Sequence, residues 1–415
     1  MAILSKIKPA QIFMISVMVV NAGNYVYNLI LGRLLGPEQF SDAAILITFL
    51  LVLSFIAMTF QLVTAKFSII LEHQTVVWFR RVMYKYAIIT GLTFGALIIL
   101  FAQQLQLFFN TSTSEMFFIF GLGIPIYFIM SINRGFYQGQ DELKKLSVTY
   151  QSEMLSRLIF TLAILLLLNI QSSIGIAYGI LISFFFGLIP IKFSHLFEKN
   201  NSDISSEITK PILNFFLLTA FYELTQIIIN NSDILLVKHY FNAIDAGLYA
   251  SLALIGRMVY FIAWMFVMLL LPDVVRLKKA GKNTKPILFK YVIYISCISI
   301  SIIASCYLFP KTIVHLFFGE QYLPIAPLLW KYGIATSMFA IANIFAYYYL
   351  SLDKYIPVVI TGILGLSQVI LIIFYHNSLE QVVSVQIIAM IILLLTQVAF
   401  FIFSKNPSTN QQIEN

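Results

Sequence analysis

An arginine lies deep within one of the most apolar stretches of the chain. Arg257 is about 12 residues into residues 245–271, roughly 18 Å from the nearer end at 1.5 Å per residue. A cation at that depth in hydrocarbon costs at least about 2–3 kcal/mol unless it faces water or a partner. Glu223, Asn230 and Asp233 in the preceding apolar stretch lie at comparable depth. Arg257 therefore predicts either an ion pair between two helices or a cation for phosphate, which suits the planar guanidinium.

Two apolar stretches also carry polar side chains at helical spacing. The polar positions recur at i, i+3 and i+7, which places them on one helix face. They are Asn21, Asn24 and Asn28 in the first stretch, and Glu223, Gln226 and Asn230 in the seventh. Such a face predicts either hydrogen bonds between helices, worth about 1 kcal/mol each in membranes, or the lining of a hydrated path for sugars. The same pattern in two stretches favours the hydrated path.

The other charged residues of interest lie near predicted helix ends. Arg33 and Lys238 occupy matching places at the outer ends of the first and seventh stretches, where headgroup snorkelling and a substrate contact are both open. Arg134 lies toward the predicted cytoplasmic side of the membrane. It is either a cation at a helix end or a contact for a pyrophosphate. Glu153 is four residues before Arg157, a spacing that predicts an ion pair on one helix.

The composition indicates a polytopic membrane protein. The 415 residues are 60% hydrophobic and 11% charged, with a mean hydropathy of +0.89, whereas soluble domains are about 25% charged. The net charge is +8, and the basic residues lie in short loops between apolar stretches. This placement is typical of loops that set the membrane topology and contact anionic lipid. We therefore do not expect a nucleic acid partner. The two cysteines lie in one apolar segment and the five histidines lack ligand spacing, so no metal site is expected. No phosphate-binding glycine loop is present, so we do not expect direct use of ATP. No cofactor is predicted.

Twelve stretches are long enough to cross about 30 Å of hydrocarbon as helices. They are residues 10–32, 42–66, 84–106, 116–138, 147–169, 174–194, 211–240, 245–271, 289–309, 322–349, 355–375 and 380–403. We expect an all-α polytopic fold with two six-helix lobes, residues 1–198 and 211–404, joined by a cytoplasmic linker at 199–210. Residues 405–415 read as a disordered tail. Most of the 26 lysines and arginines fall on the side shared by both termini, which predicts cytoplasmic termini.

The two lobes are predicted to be a duplication. Residues 28–44 and 233–254, about 205 positions apart, each read as an apolar helix end, a cation, a turn and a second apolar helix. An even number of spans per lobe means that both lobes enter the membrane in the same direction. The sequence therefore predicts a parallel repeat.

Several motifs resemble a known family. The run Gly32-Arg33-Leu-Leu-Gly36-Pro37-Glu-Gln-Phe40, the stretch from Asp233 to Tyr249 and the stretch from Phe317 to Leu328 are similar to those of bacterial polysaccharide flippases. These belong to the multidrug/oligosaccharidyl-lipid/polysaccharide exporter superfamily. The resemblance implies two six-helix lobes around a cavity that opens alternately to each side. The second half departs from the pattern, because Phe241-Asn242 stands in place of Gly-Pro.

The resemblance implies transport of an undecaprenyl-pyrophosphate-linked oligosaccharide from the cytoplasmic to the outer leaflet of the bacterial inner membrane. The glycan, which could belong to O-antigen, capsule or another polymer, stays open. The expected partners are membrane lipid and a polysaccharide polymerase with its chain-length machinery. The predicted substrate-binding residues are Arg257, Arg33, Arg134, Asn24, Asn28 and Asn230. The predicted ion-coupling residues are Glu223 and Asp233.

Two other function classes fit part of the sequence pattern. A cation-coupled multidrug exporter would share the fold, but cationic drugs favour an acidic pocket and several mid-membrane charges here are arginines. A membrane enzyme, such as a polysaccharide polymerase, ligase or glycosyltransferase, usually needs a large outer loop or a cytosolic domain. Every predicted outer loop is short. We therefore expect a transporter and no enzymatic activity.

Overall fold

The computed structural model describes residues 9–168, 170–190, 206–352, 354 and 356–403. Within these ranges all regular structure is helical. The elements are α1 Pro9–Ile70, α2 His73–Leu100, α3 Ala102–Phe109, α4 Glu115–Gly139, α5 Leu143–Leu167, α6 Ser172–Gly187, α7 Ser206–Tyr240, α8 Ala243–Gly256, α9 Met258–Lys279, α10 Lys285–Leu308, α11 Pro310–Phe317, a 3₁₀ helix Glu320–Leu328, α12 Leu329–Ser351, α13 Ile356–Phe374 and α14 Leu379–Phe403.

Nine helices in the described ranges are long and apolar enough to cross a bilayer. The prediction of an all-α polytopic fold is therefore confirmed, whereas the count of twelve spans, the repeat and the cytoplasmic termini stay predictions. The helix α1 has 62 residues, about 93 Å at 1.5 Å per residue, which is roughly three times the thickness of the hydrocarbon layer. It therefore covers two of the predicted spans.

A bend divides α1 at Gly36. This residue has φ 70° and ψ 172°, a backbone conformation that L side chains rarely adopt and that glycine adopts freely. Pro37 follows as the first residue of the continuing helix, where its missing N–H costs no hydrogen bond. The turn predicted from Gly36-Pro37 is thus a sharp bend between two helical segments.

By contacts the chain forms two compact units, residues 1–248 and 249–415. The first contains α1 to α7 and the start of α8, with α4 packed against α1, α2 and α6. The second contains the remaining helices, with α12 packed against α9, α10 and α14. In the second unit Gln397 donates to the Pro357 carbonyl and the Thr361 hydroxyl, both at 2.8 Å. A glutamine in an apolar helix thereby joins α13 to α14.

The predicted linker and tail lie largely beyond the described ranges. Residues 199–205 and 405–415 fall outside them, whereas residues 206–210 form the start of α7. The six-helix division at residues 198 and 211 stays a prediction. The predicted span 245–271 is broken, because α8 ends at Gly256 and α9 begins at Met258.

Candidate functional site

A buried ion pair joins α1 to α7. Lys238, in the last turn of α7, is 1% exposed. Its Nζ donates to Ser41 Oγ at 2.7 Å and to Asp42 Oδ1 at 2.8 Å, in the segment of α1 after the bend. Neither headgroup snorkelling nor an exposed substrate contact describes this geometry, because Asp42 holds the ammonium inside the protein.

The second carboxylate oxygen of Asp42 is also fully used. Asp42 Oδ2 accepts from the Ser112 backbone N–H at 2.9 Å and from the Ser112 hydroxyl at 2.6 Å. The Ser112 hydroxyl is in turn 3.1 Å from that of Ser173. We call Ser41, Asp42, Ser112, Ser173 and Lys238 the Lys238 cluster. It ties α7 to α1, to the α3–α4 connection and to α6, and its hydrogen bonds offset the cost of burying two charges.

The bend of α1 lies against the start of α8. A Cβ built on Gly247 would be 1.8 Å from the Pro37 carbonyl oxygen, so only glycine permits this approach. The two passages identified as a repeat therefore contact each other twice, through Lys238 with Asp42 and through Gly247 with Pro37. This contact was not predicted from the sequence.

A second buried charge cluster lies inside the first unit. Arg134 of α4 donates to Glu153 Oε2 at 2.7 Å, and to the hydroxyl and the carbonyl of Thr149, both at 3.1 Å. Its guanidinium carbon is 4.1 Å from the Tyr150 ring centroid. Arg157 donates to Glu153 Oε1, which is the predicted pair on one helix. Two guanidiniums thus share one carboxylate, and the buried cluster keeps one formal positive charge.

The burial of Arg134 differs from the expected inward-facing contact. Its side chain is 6% exposed, and its bonds to α5 occupy Nε and Nη2. Thr149 and Glu153 lie on the next helix, one turn apart, and so both can meet the same guanidinium. A substrate role for Arg134 stays a prediction, but in this geometry the residue joins α4 to α5.

Asn28 and Asn230, one from each polar stripe, are half-buried and bond to their own helices. Asn28 Nδ2 donates to the Asn24 carbonyl at 2.8 Å, and Asn230 Nδ2 donates to the Gln226 carbonyl at 2.8 Å. Each pair is four residues apart on its helix, so both stripes repeat one local geometry. Asn21 is exposed. These two hydrogen bonds hold Asn28 against α1 and Asn230 against α7. Neither of them joins one stripe to the other.

The other charged residues predicted for the site in the first unit, Arg33, Glu223 and Asp233, differ in burial. Arg33 is exposed, one turn before the bend of α1. Glu223 is half-buried in α7 and makes no ion pair or hydrogen bond with any residue that the structure describes. Asp233 is 1% exposed in the same helix. Of the two predicted ion-coupling residues, Glu223 therefore has the more accessible carboxylate.

Arg257 lies at the break between α8 and α9. It is buried, and it is the N-cap residue of α9. The Thr336 hydroxyl of α12 lies 3.0 Å from the Gly256 carbonyl at the end of α8, which is nearer than the two carbonyls of its own helix at 3.1 and 3.3 Å. It can therefore donate to one of the acceptors that the end of α8 leaves open. The last carbonyls of α8 and the first N–H groups of α9 meet at this break, so the partial charges of the two helix ends oppose each other. The break itself was not predicted from the sequence.

Within the ranges that the structure describes, no three His, Cys, Asp or Glu side chains are grouped so that they could hold a metal ion.

The fold is shared with solved transporter structures. A multidrug resistance MATE family transporter of the MOP superfamily, inward-facing, superposes with a TM-score of 0.77 at 14% identity, over 93% of this chain and 96% of that one. The lipid II flippase MurJ, inward closed, gives 0.74 at 16% identity, over 94% and 87%. A MOP superfamily transporter from Pyrococcus furiosus gives 0.54 at 13% identity, over 94% and 93%.

The sequence comparisons identify one family. No curated protein sequence matches the chain. A family model described as polysaccharide biosynthesis protein matches residues 30–327, which is well over half of the chain. The resemblance predicted from the motifs is therefore confirmed: the chain belongs to the polysaccharide biosynthesis protein family and has the fold of the MOP superfamily of flippases and exporters.

Proposed function

We propose that this protein moves a lipid-linked oligosaccharide from the cytoplasmic to the outer leaflet of the bacterial inner membrane. The observation that carries the proposal is the pairing of a polysaccharide biosynthesis family with a transporter fold. A protein of that family needs a route for a sugar head across lipid, and the similar fold of a lipid II flippase supplies a precedent for such a route. The undecaprenyl-pyrophosphate carrier and an O-antigen or capsule glycan belong to this proposal.

The proposed mechanism is alternating access. A pyrophosphate with several sugars cannot cross hydrocarbon unaided, because its charges and hydroxyls would lose their hydration. A hydrated passage that opens to one side at a time lets the head cross while the lipid tail stays in the bilayer. We propose twelve crossings arranged as a parallel repeat of six, with both termini cytoplasmic. In that account α1 crosses twice, and α8 with α9 forms one broken crossing.

Arg257 is the proposed principal contact for the pyrophosphate. The break between α8 and α9 holds a buried guanidinium, whose planar N–H groups suit a phosphate. Arg33, exposed on α1, would receive the same group nearer the membrane surface, and Arg134 would contribute long-range positive charge. Asn24, Asn28 and Asn230 would contact sugar hydroxyls along the passage. Binding must differ between the two states for the cargo to drive the change.

Glu223 and Asp233 are the proposed sites for a coupling ion. Both lie on α7, and Glu223 has no hydrogen-bond partner among the described residues. Proton or cation binding at Glu223 would neutralise a half-buried carboxylate and shift the balance between states. We further propose that a polysaccharide polymerase and chain-length machinery use the exported product.

The test is a reconstituted transport assay. Purified protein in liposomes should carry a lipid-linked oligosaccharide to the leaflet where an added glycosidase can reach it. Arg257→Ala should slow this transfer by roughly tenfold or more, since a charge-assisted contact is worth about 1.5–3 kcal/mol. Arg276→Ala, an exposed arginine on the same helix, is the matched control and should transport as the native chain does. Equal rates for all three proteins would remove Arg257 from the mechanism.

A cation-coupled multidrug exporter is the second candidate. It is favoured by the high structural similarity to a multidrug transporter. Drug susceptibility of cells that lack or overproduce the protein separates the two functions. An exporter would change resistance to cationic drugs and leave surface glycan intact, whereas the proposed flippase would do the reverse. A polymerase, ligase or glycosyltransferase activity is less supported, because these structural neighbours are transporters, and turnover of lipid-linked sugar by the purified chain would revive it.

A further inference from the structure

A small cavity lies between α2 and α4. Its volume is about 30 Å³, and it is partly open to the surface. The lining residues come from the start of α2, the end of α4 and the turn that follows. They are Arg80, Tyr84, Asn133, Phe136, Tyr137, Gln140 and Glu142. This end of the first unit also carries Arg81 and Lys85, so the distribution of basic residues predicts that it is cytoplasmic.

One polar group in the cavity wall is left unsatisfied. Asn133 is 5% exposed, and its Oδ1 accepts a hydrogen bond from the Tyr84 hydroxyl. Its Nδ2 is buried and has no hydrogen-bond partner among the described residues. A buried donor without a partner costs about 1–3 kcal/mol. The amide therefore indicates an acceptor that enters from outside the chain.

A guanidinium lies in the cavity lining. Arg80 is 9% exposed, and its guanidinium carbon is 4.7 Å from the Phe136 ring centroid, a contact that fixes the plane of the guanidinium. The one carboxylate in the lining, Glu142, is 2.5 Å from Lys145 Nζ. The guanidinium of Arg80 and the amide of Asn133 are both N–H donors, and together they suit a guest that accepts hydrogen bonds and carries negative charge.

The size and position of the cavity narrow the chemistry. About 30 Å³ accommodates roughly two water-sized oxygens, since one water needs about 10–15 Å³. A sugar ring is too large, whereas two oxygens of a phosphate group fit. Guanidinium and amide N–H groups together suit a tetrahedral oxyanion. At the level of the membrane surface, phosphate is the abundant anion.

We propose that this cavity binds the phosphate group of a membrane amphiphile in the cytoplasmic leaflet. Arg80 pairs with the phosphate charge, and Asn133 Nδ2 donates to one of its oxygens. Two sources share this chemistry: the headgroup of a phospholipid, and a polyprenyl pyrophosphate of the kind proposed as cargo. The site stands apart from the transport proposal, because binding at this cavity requires no transfer across the membrane.

The test measures lipid binding to the delipidated full-length protein by native mass spectrometry. The probes are dioleoyl phosphatidylglycerol, undecaprenyl pyrophosphate and undecaprenol, which has no phosphate. We expect the first, the second or both to bind more tightly than undecaprenol. Arg80→Gln should weaken that binding by roughly 10-fold or more, as for a charge-assisted hydrogen bond. Arg81→Gln, the exposed neighbour, is the matched control and should change it less than about twofold.

A second variant guards against loss of folding. Asn133→Asp keeps the side-chain shape and places a resident carboxylate beside Arg80, so it should retain the native melting temperature and lose phosphate binding. If undecaprenyl pyrophosphate binds more tightly than phosphatidylglycerol, the cavity is a loading point for cargo. If the two lipids bind equally, the cavity is a site for phospholipid. Both results support the proposal. Equal losses in Arg80→Gln and Arg81→Gln, undiminished binding by Asn133→Asp, or no phosphate dependence at all would overturn it.

Discussion

Lys238 Nζ lies 2.8 Å from Asp42 Oδ1, although 196 residues separate the two in the chain. Both residues belong to the passages that repeat in sequence, one following the bend of α1 and the other ending α7. The pair is buried and its carboxylate is also bonded to Ser112. The two passages that are predicted to be a repeat thus contact each other.

Removing one partner of this pair should be strongly destabilising. Lys238→Met leaves a buried carboxylate unpaired and should lower the unfolding free energy by about 3–5 kcal/mol. Lys238→Met combined with Asp42→Asn removes both charges and should recover part of that loss. Reversible unfolding in mixed detergent micelles measures both. If the double variant is no more stable than Lys238→Met, the ion pair is not what couples these residues.

Glu153 should matter more than any single arginine near it. Glu153→Gln leaves Arg134 and Arg157 facing each other in a buried site, and should cost about 3–5 kcal/mol of unfolding free energy. Glu142→Gln, which breaks the half-exposed pair with Lys145, is the control and should cost at most about 1 kcal/mol. The same detergent titration applies. Similar losses for the two variants would contradict a buried network.

Any side chain at Gly247 should disturb the bend of α1. Gly247→Ala places a Cβ 1.8 Å from the Pro37 carbonyl oxygen, so α1 and α8 must separate. We expect a lower melting temperature and weaker assembly of the first unit. Gly333→Ala is the matched control, because the nearest atom to its new Cβ is Ile303 Cγ1 at 3.5 Å. A Gly247→Ala protein that melts with the native chain would disprove this close approach.

The break before α9 should depend on a hydroxyl of α12. Thr336→Val removes the donor to the Gly256 carbonyl and should cost about 1–3 kcal/mol, the usual value for an unsatisfied buried acceptor. Transport should fall with it, because the position of Arg257 depends on the break. Thr396→Val is the control, since its hydroxyl bonds only the Ile392 carbonyl of its own helix. Unchanged transport by Thr336→Val would separate the break from function.

Hydrophobic length and spacing predicted the helices, because twenty apolar residues in lipid have little alternative to a helix. The Gly36-Pro37 bend was also predictable, since both residues favour a turn. The partner of Lys238 was not predictable, because Asp42 lies 196 residues away in the chain and no local pattern connects the two. The break at Arg257 was missed for a similar reason. No proline marks it, and its stabilising hydroxyl comes from Thr336, far along the chain.

The direct test of the central claim is leaflet transfer in proteoliposomes. With purified native protein and a lipid-linked oligosaccharide added on one side, the proposed function predicts that the sugar becomes accessible on the other side. The rate should exceed that of protein-free liposomes and fall roughly tenfold or more with Arg257→Ala. A rate no faster than in protein-free liposomes, under conditions where the same preparation expels a cationic drug, would contradict the account.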